Sequence, residues 1–355
     1  MIVKTIKLIF VFLIFIYSNV VYGIEVPETD NLPVQLNDKE IFFPGGWKEA
    51  NINGQNSRIV VPARIYNIKK KKFIDLNTEM KIPRNNYVAA KAGNKVLIAG
   101  GNDINNNLSN TAEVYDITKK RFEQINDSIF THWDHWSNIF TLKDNRIYLM
   151  HYCKGEIFNP STNTFSLAGD EDITNTNFSK FKPVCNACLL KDGRIAKYYG
   201  KNFVLYNPYT NDTKDISVPD SLNWSNKPII LDNGNILFIT WDGNEKGSVF
   251  EFYPQNNAFR KIVDLNPSAT DINSTLLNSD TILMKRGIIR MPDINATSYD
   301  SGKCFNSALY SIRQKKMYRM ENTSCDYKGK EYVFKKNNKS AIIFTTNRKP
   351  IIYKI

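Results

Sequence analysis

Residues 83–122 contain, in order, Pro83-Arg84, Tyr87-Val88-Ala89-Ala90, Val96-Leu97-Ile98-Ala99-Gly100-Gly101, Ala112-Glu113-Val114-Tyr115-Asp116 and Phe122. Three apolar runs of strand length alternate here with turn-forming and polar residues. The first two runs are joined by Ala92-Gly93-Asn94-Lys95, where Gly and Asn supply the positive φ of a tight hairpin turn. A fourth strand follows Tyr115-Asp116 and carries Phe122. The unit therefore reads as hairpin, polar link, hairpin.

The same unit recurs along the chain. Its lead aromatics are Tyr66, Tyr115, Phe158, Tyr206, Tyr253, Tyr310 and Tyr353, 43 to 57 residues apart. Roughly 20 residues upstream of most of them lies another hairpin turn, for example Lys143-Asp144-Asn145-Arg146, Lys191-Asp192-Gly193-Arg194 and Asp232-Asn233-Gly234-Asn235. A period of this length marks a repeat architecture, and four strands per period mark a propeller blade. The chain is expected to be all-β, with seven four-stranded blades favoured. Six remain open because the first and last units are incomplete. The last unit ends in its third strand at Tyr353-Lys354-Ile355, so closure calls for a strand from the N-terminal side. The candidate is the stretch Val34 to Leu36.

Residues 83–122 resemble a kelch repeat, in which one strand ends in Gly-Gly, the next ends in Tyr-Asp, and an aromatic follows six or seven residues on. Ile41-Phe42-Phe43-Pro44-Gly45-Gly46 with Tyr66 and Phe73 resembles a second copy. Other units replace Gly-Gly with Met150-His151, Tyr199-Gly200, Thr240-Trp241 and Arg286-Gly287. They carry Phe73, Phe122, Phe165 and Phe259 where kelch repeats usually have Trp, and the aromatic is lost near Thr213. The resemblance spans residues 41–355 and implies a kelch-type β-propeller.

Lys4 and Lys7 precede an apolar stretch from Leu8 to Ser18, followed by Val21-Tyr22-Gly23. This is the pattern of a secretory signal peptide over residues 1–23. The apolar run falls short of the ~20 residues that a spanning helix needs. Residues 24–40 form a lead-in with the candidate closing strand, and residues 41–355 the propeller. The expected product is an exported monomer (secreted, periplasmic or cell-surface) with no membrane span after cleavage.

The formal charge is +12. Lys69 to Lys72, Lys315 and Lys316 fall in turns between third and fourth strands. They read as a solvated rim or as an attraction for an acidic glycan or membrane surface. No nucleic-acid recognition motif is present, so nucleic acid is not an expected partner. The five cysteines fit an oxidising compartment. Cys304 and Cys325 flank the last two strands of the sixth unit and are expected to pair. Cys153 follows a second strand and Cys185 opens the next first strand, which makes a Cys153–Cys185 bond feasible and leaves Cys188 as an apolar odd thiol. The rival, a Cys185–Cys188 redox pair, lacks a surrounding βαβ pattern.

In a four-stranded antiparallel blade, the link between blades and the link from second to third strand share one face. All five tryptophans map there: Trp47, Trp133, Trp136, Trp224 and Trp241. With Arg84 and Asp242 they form the candidate ligand-binding set. Indole faces beside Asn and Asp suit sugar rings, and Arg84 suits the carboxylate of an acidic sugar. The competing reading has the tryptophans filling gaps between blades and Arg84 in an ordinary ion pair. The three histidines, His132, His135 and His151, map to the same face. They could hold a divalent metal through imidazole nitrogen, act in acid–base chemistry, or be structural. No other cofactor is expected, and no catalytic residue is assigned.

The expected function is a binding or interaction module that contacts a glycan or protein through the aromatic-rich loop face. The alternative is a carbohydrate-active enzyme on that face. The kelch resemblance implies two such classes. One is the galactose-oxidase-like copper enzymes, whose site uses two tyrosines, two histidines and a cysteine cross-linked to tyrosine; here His151, Tyr152 and Cys153 are adjacent, with no second tyrosine ligand or cross-linking pair aligned. The other is exported sialic-acid epimerases, matched by size, export and fold alone.

Overall fold

The computed structural model describes residues 19–20, 33–132, 137–169, 185–199, 201–220, 222, 228–241, 247–265, 273–276, 281–285, 307–311, 313, 316–319, 331–337, 340–345 and 348–354. Among them, seven four-stranded antiparallel sheets follow one another along the chain. Blade 1 is built from Val34–Asn37, Glu40–Phe43, Arg64–Asn67 and Lys72–Asp75. Blade 2 uses Val88–Ala92, Lys95–Ala99, Ala112–Asp116 and Arg121–Gln124. Blade 3 uses Ser137–Thr141, Ile147–His151, Lys154–Asn159 and Thr164–Ala168. Blade 4 runs through Asn186–Leu189, Ile195–Tyr199, Asn202–Tyr206 and Thr213–Asp215. Blade 5 has Ile229–Ile230, Ile236–Trp241, Gly247–Tyr253 and Ala258–Leu265. Blade 6 has Asn273–Leu276, Thr281–Lys285, Ser307–Ser311 and Lys316–Arg319. The seventh sheet joins Glu331–Asn337, Ser340–Thr345 and Arg348–Lys354 to the two-residue strand Asn19–Val20.

Two expectations change here. Val34–Asn37 is the first strand of blade 1, paired with Glu40–Phe43, so it is not a closing strand and the propeller begins before Ile41. Asn19 and Val20 instead lie opposite Ile352 and Ile351, inside the segment read as a signal peptide. In the fifth unit, strand register places Phe252, not Tyr253, opposite Phe259. This matches Tyr66 opposite Phe73, Tyr115 opposite Phe122 and Phe158 opposite Phe165. Those four pairs have ring centroids 4.8 to 5.2 Å apart, a contact distance that favours tilted aromatic pairs. Tyr206 meets Thr213 instead, where the sequence had shown the aromatic missing.

Packing explains why Val96 to Ala99, in the second strand of blade 2, form an unbroken apolar run. In blade 2, Val96 and Ile98 join a buried cluster with Phe42 and Ala63 of blade 1. The alternate residues Leu97 and Ala99 join Ile147, Leu149 and Phe158 of blade 3. Successive side chains point to opposite faces of a strand, so a strand sandwiched between two neighbours favours apolar residues on both faces. Further clusters tie blade 3 to blade 4 and blade 4 to blade 5.

A second repeated device joins the blades on the face of the short hairpin turns. The cation that closes one blade's first hairpin turn reaches the proline carbonyl of the next blade's last turn. Lys95 Nζ donates to Pro160 O at 2.7 Å, Arg146 Nη2 to Pro208 O at 3.0 Å, and Arg194 Nη2 to Pro254 O at 2.8 Å. These cations look like solvated turn residues in the sequence. In the fold they are inter-blade latches.

The glycine pair of blade 2 serves the opposite face. Gly100 and Gly101 have φ of +71° and +83°. A Cβ on Gly100 would lie 2.3 Å from His132 O, and one on Gly101 would lie 2.3 Å from Asn85 O. Gly101 N donates to His132 O at 2.7 Å. Gly100 is therefore glycine because the link entering blade 3 lies directly on its backbone, and Gly101 because the segment Asn85 to Tyr87 that enters blade 2 lies on its own. Gly93 also has positive φ (+60°) but open space around it. We expect Gly93→Ala to cost about 1 kcal/mol from backbone conformation alone and Gly100→Ala about 3 kcal/mol. Equal losses in chemical denaturation would show that close approach is not what requires Gly100.

Candidate functional site

The long links do share one face. Ser128 N, in the link from blade 2 to blade 3, donates to Asn110 O in the second-to-third-strand link of blade 2 at 2.9 Å. Blade 1 adds a hairpin to this face, Gly46–Ile52 paired with Gln55–Val61. Blade 2 adds a small ribbon, Arg84–Asn85 paired with Asn102–Asp103.

Trp47 sits at the base of the blade 1 hairpin and is 8% exposed. Its Nε1 donates to Asn102 O at 3.1 Å, its backbone N to Asn85 Oδ1 at 3.1 Å, and its carbonyl accepts from Asn85 Nδ2. The Arg58 guanidinium lies 4.7 Å from the ring centroid, and Arg58 Nη1 donates to Ile104 O at 2.8 Å. Trp47 thus seals the added hairpin onto blade 2 and leaves little indole for a ligand.

Arg84 does not present its guanidinium to solvent. It is 1% exposed and lies along Glu113, with Nη2 to Oε1 at 3.1 Å. Nε donates to Ile82 O at 3.1 Å, and Nη1 donates to the Thr111 hydroxyl at 2.7 Å as well as to the Thr111 carbonyl. Burial lowers the Arg84 pKa from the ordinary guanidinium value, and the Glu113 charge acts against that shift. Glu113 also accepts from the backbone N of Lys81 at 2.8 Å and of Ile82 at 2.9 Å. The side chain proposed for an acidic ligand is therefore saturated within the fold.

His132 repeats this arrangement one blade on. It is fully buried, as is Glu156, and its Nε2 bonds Glu156 Oε1. The other carboxylate oxygen accepts from Ile129 N at 2.7 Å. Glu113 and Glu156 each stand two residues before the lead aromatic and clamp the link entering their own blade. Sequence reasoning overlooked them, although a lone Glu in an otherwise apolar strand, twice in the same register, was a readable signal.

His151 ends the second strand of blade 3, opposite Ser137, and its Nδ1 lies 3.0 Å from Ser137 Oγ. Its ring centroid is 6.0 Å from that of His132 and 4.4 Å from that of Tyr152. Two of the three histidines are therefore brought together, and His132 Nδ1 has no hydrogen-bond partner among the described residues. His135, Trp133, Trp136, Trp224 and Asp242 lie outside the described residues. Trp241 ends its second strand as expected, opposite Gly247, with its side chain outside the described set. Among the described residues, no group of three or more His, Cys, Asp or Glu is arranged to hold a metal ion.

Cys153 and Cys185 form a disulfide, with Cα atoms 5.0 Å apart. Cys188 is the free, buried thiol, and desolvation pushes its pKa far above the ordinary thiol value. Cys304 and Cys325 lie outside the described residues.

The seven four-stranded sheets together define a β-propeller fold. Residues 83–128 match the family model described as the kelch motif. The fold is similar to that of a solved fungal alcohol oxidase of the AA5 family, in complex with copper. The TM-score is 0.56 at 11% identity, covering 89% of this chain and 71% of that one. A search of curated protein sequences found no match. At that identity the likeness concerns the fold. A copper centre with a tyrosine–cysteine cross-link does not fit at Tyr152-Cys153, because the Cys153 sulfur is already bonded to Cys185.

Proposed function

We propose that this protein is an exported binding module that contacts a glycan or protein partner through the link face of the propeller. One observation carries the reading. The additions to the plain four-stranded blades are concentrated on that face: the blade 1 hairpin, the blade 2 ribbon, the two clamped carboxylates and the disulfide at the end of blade 3. The opposite face, among the described residues of blades 1 to 5, consists of short hairpin turns. Elaborated loops on a rigid scaffold are where binding residues concentrate, and the repeat itself imposes no chemistry.

The test begins with the chain purified from Ile24. Its metal content is measured, and neutral and acidic glycans are titrated while tryptophan fluorescence is followed. A saturable shift lost in Trp136→Ala and Trp241→Ala would establish a sugar site, and turnover assays on that sugar would then decide between binding module and enzyme. No response to any glycan would remove the carbohydrate reading and leave a protein partner.

A further inference from the structure

The last turns of blades 1 to 5 close alike, and those of blades 1 to 4 also open alike. The turn opens with a side-chain oxygen accepting a backbone N–H: Asn67 from Lys70, Asp116 from Lys119, Asn159 from Ser161 and Asn207 from Tyr209. It closes on a residue in the left-handed region of φ. In blades 3, 4 and 5 that residue is Asn163, Asn211 or Asn257, at φ of 57°, 64° and 54°. Asparagine visits this region more readily than other residues with a side chain. In blades 1 and 2 the same position is Lys71, at φ 53°, and Lys120, at φ 55°. A lysine there carries a backbone cost that the asparagines largely avoid.

These two lysines stand on the last turns of neighbouring blades, each within a run of exposed lysines. Lys69, Lys70, Lys71, Lys72, Lys119 and Lys120 are all exposed. Blades 1 and 2 are neighbours, with Phe42 stacked on Tyr115 at 4.3 Å. The Lys119 ammonium has acidic company, 3.4 Å from Asp116 and 3.2 Å from Glu123. The four consecutive lysines of blade 1 have no ion pair among the described residues.

We propose that the turn face of blades 1 and 2 is a docking surface for an anionic polysaccharide, on the side of the propeller opposite the link face. Two neighbouring turns accept an unfavourable backbone conformation in order to present cations where the other turns carry asparagine. The cations sit in two adjacent stretches with no apolar side chain among Lys69–Lys72 or Lys119–Arg121. That suits a flexible chain of repeated sulfates or carboxylates, and offers nothing to insert between lipid chains.

The test uses heparin as the probe, with binding followed as salt is raised. Screening lengths fall from ~10 Å at 0.1 M to ~3 Å at 1 M, so binding to exposed charges weakens over that range. The decisive variant is Lys71→Asn with Lys120→Asn. It should raise the thermal midpoint by about 1–3 °C, because asparagine suits both backbones. It should also weaken heparin binding by about two- to thirtyfold, since each exposed pairing is modest. Lys201→Asn with Lys214→Asn changes net charge equally away from these two turns and should keep wild-type affinity. No heparin binding at ~0.1 M salt, equal losses in both double variants, or no gain in midpoint would each overturn the assignment. Binding to vesicles of phosphatidylglycerol and phosphatidylcholine without heparin binding would overturn it in favour of a membrane surface.

Discussion

Glu113→Ala is expected to lower the free energy of unfolding by about 3–5 kcal/mol, the cost of leaving one partner of a buried ion pair uncompensated. Three groups depend on this carboxylate: the Arg84 guanidinium and the backbone N–H groups of Lys81 and Ile82. The guanidinium cannot turn to water without opening the link, since Arg84 is 1% and Glu113 0% exposed. Replacing both partners with apolar side chains, Arg84→Met with Glu113→Leu, removes the charge problem. A simple buried pair so replaced is often neutral or even stabilising. Here recovery should stop short of wild type, because the two part-buried backbone donors lose their carboxylate acceptor, at about 0.5–1.5 kcal/mol each. Chemical denaturation of the two variants measures both steps. A loss under about 1 kcal/mol for Glu113→Ala would mean that the link, not the ion pair, carries the stability of this region.

The fold was largely legible because a propeller repeats its evidence. Tight turns, lead aromatics and apolar inner strands recur, so one weak unit is corrected by its neighbours. Errors came where register had to be chosen within a run of equivalent residues. Phe252-Tyr253 offers two adjacent aromatics, and only pairing with Phe259 decides between them. Val34–Asn37 is an ordinary alternating strand whose partner cannot be named from its own sequence, since pairing is a property of two segments.

The candidate site was legible by face but not by role. Sequence placed Trp47, Arg84, His132 and His151 on the link side. It could not tell that Trp47 and Arg84 face inward, because indole and guanidinium serve equally as ligand contacts and as polar plugs. The deciding information lies in residues far along the chain. Asn85 and Asn102 take up the polar groups of Trp47, and Glu113 takes up the charge of Arg84. The turn lysines show the converse. Their charge was plain in the sequence, but the unfavourable backbone beneath Lys71 and Lys120 required the structure.

Loss of the Cys153–Cys185 bond is the second large effect expected. The two cysteines are separated by 32 residues, and cross-linking a loop of that length restricts the unfolded chain by about 3–4 kcal/mol in the chain-entropy account. The native side adds to this. Cys153 shares a two-residue turn with Tyr152, which lies at φ 54°, a conformation uncommon for any residue but glycine and a clear outlier for a bulky one. Without the bond to Cys185, one restraint holding that turn is gone. Cys153→Ala with Cys185→Ala should therefore fall by at least the entropic amount, and wild type under reductant should match it. Cys188→Ala should fall by about 1 kcal/mol, the scale of a small buried truncation. Cys188 should stay unreactive to maleimide until the protein unfolds, because burial keeps its thiol protonated. Mass spectrometry of the protein isolated from its own cells checks the premise. A Cys153–Cys185 peptide found intact agrees with export into an oxidising compartment, whereas free thiols at both positions would argue that the chain works where disulfides do not persist.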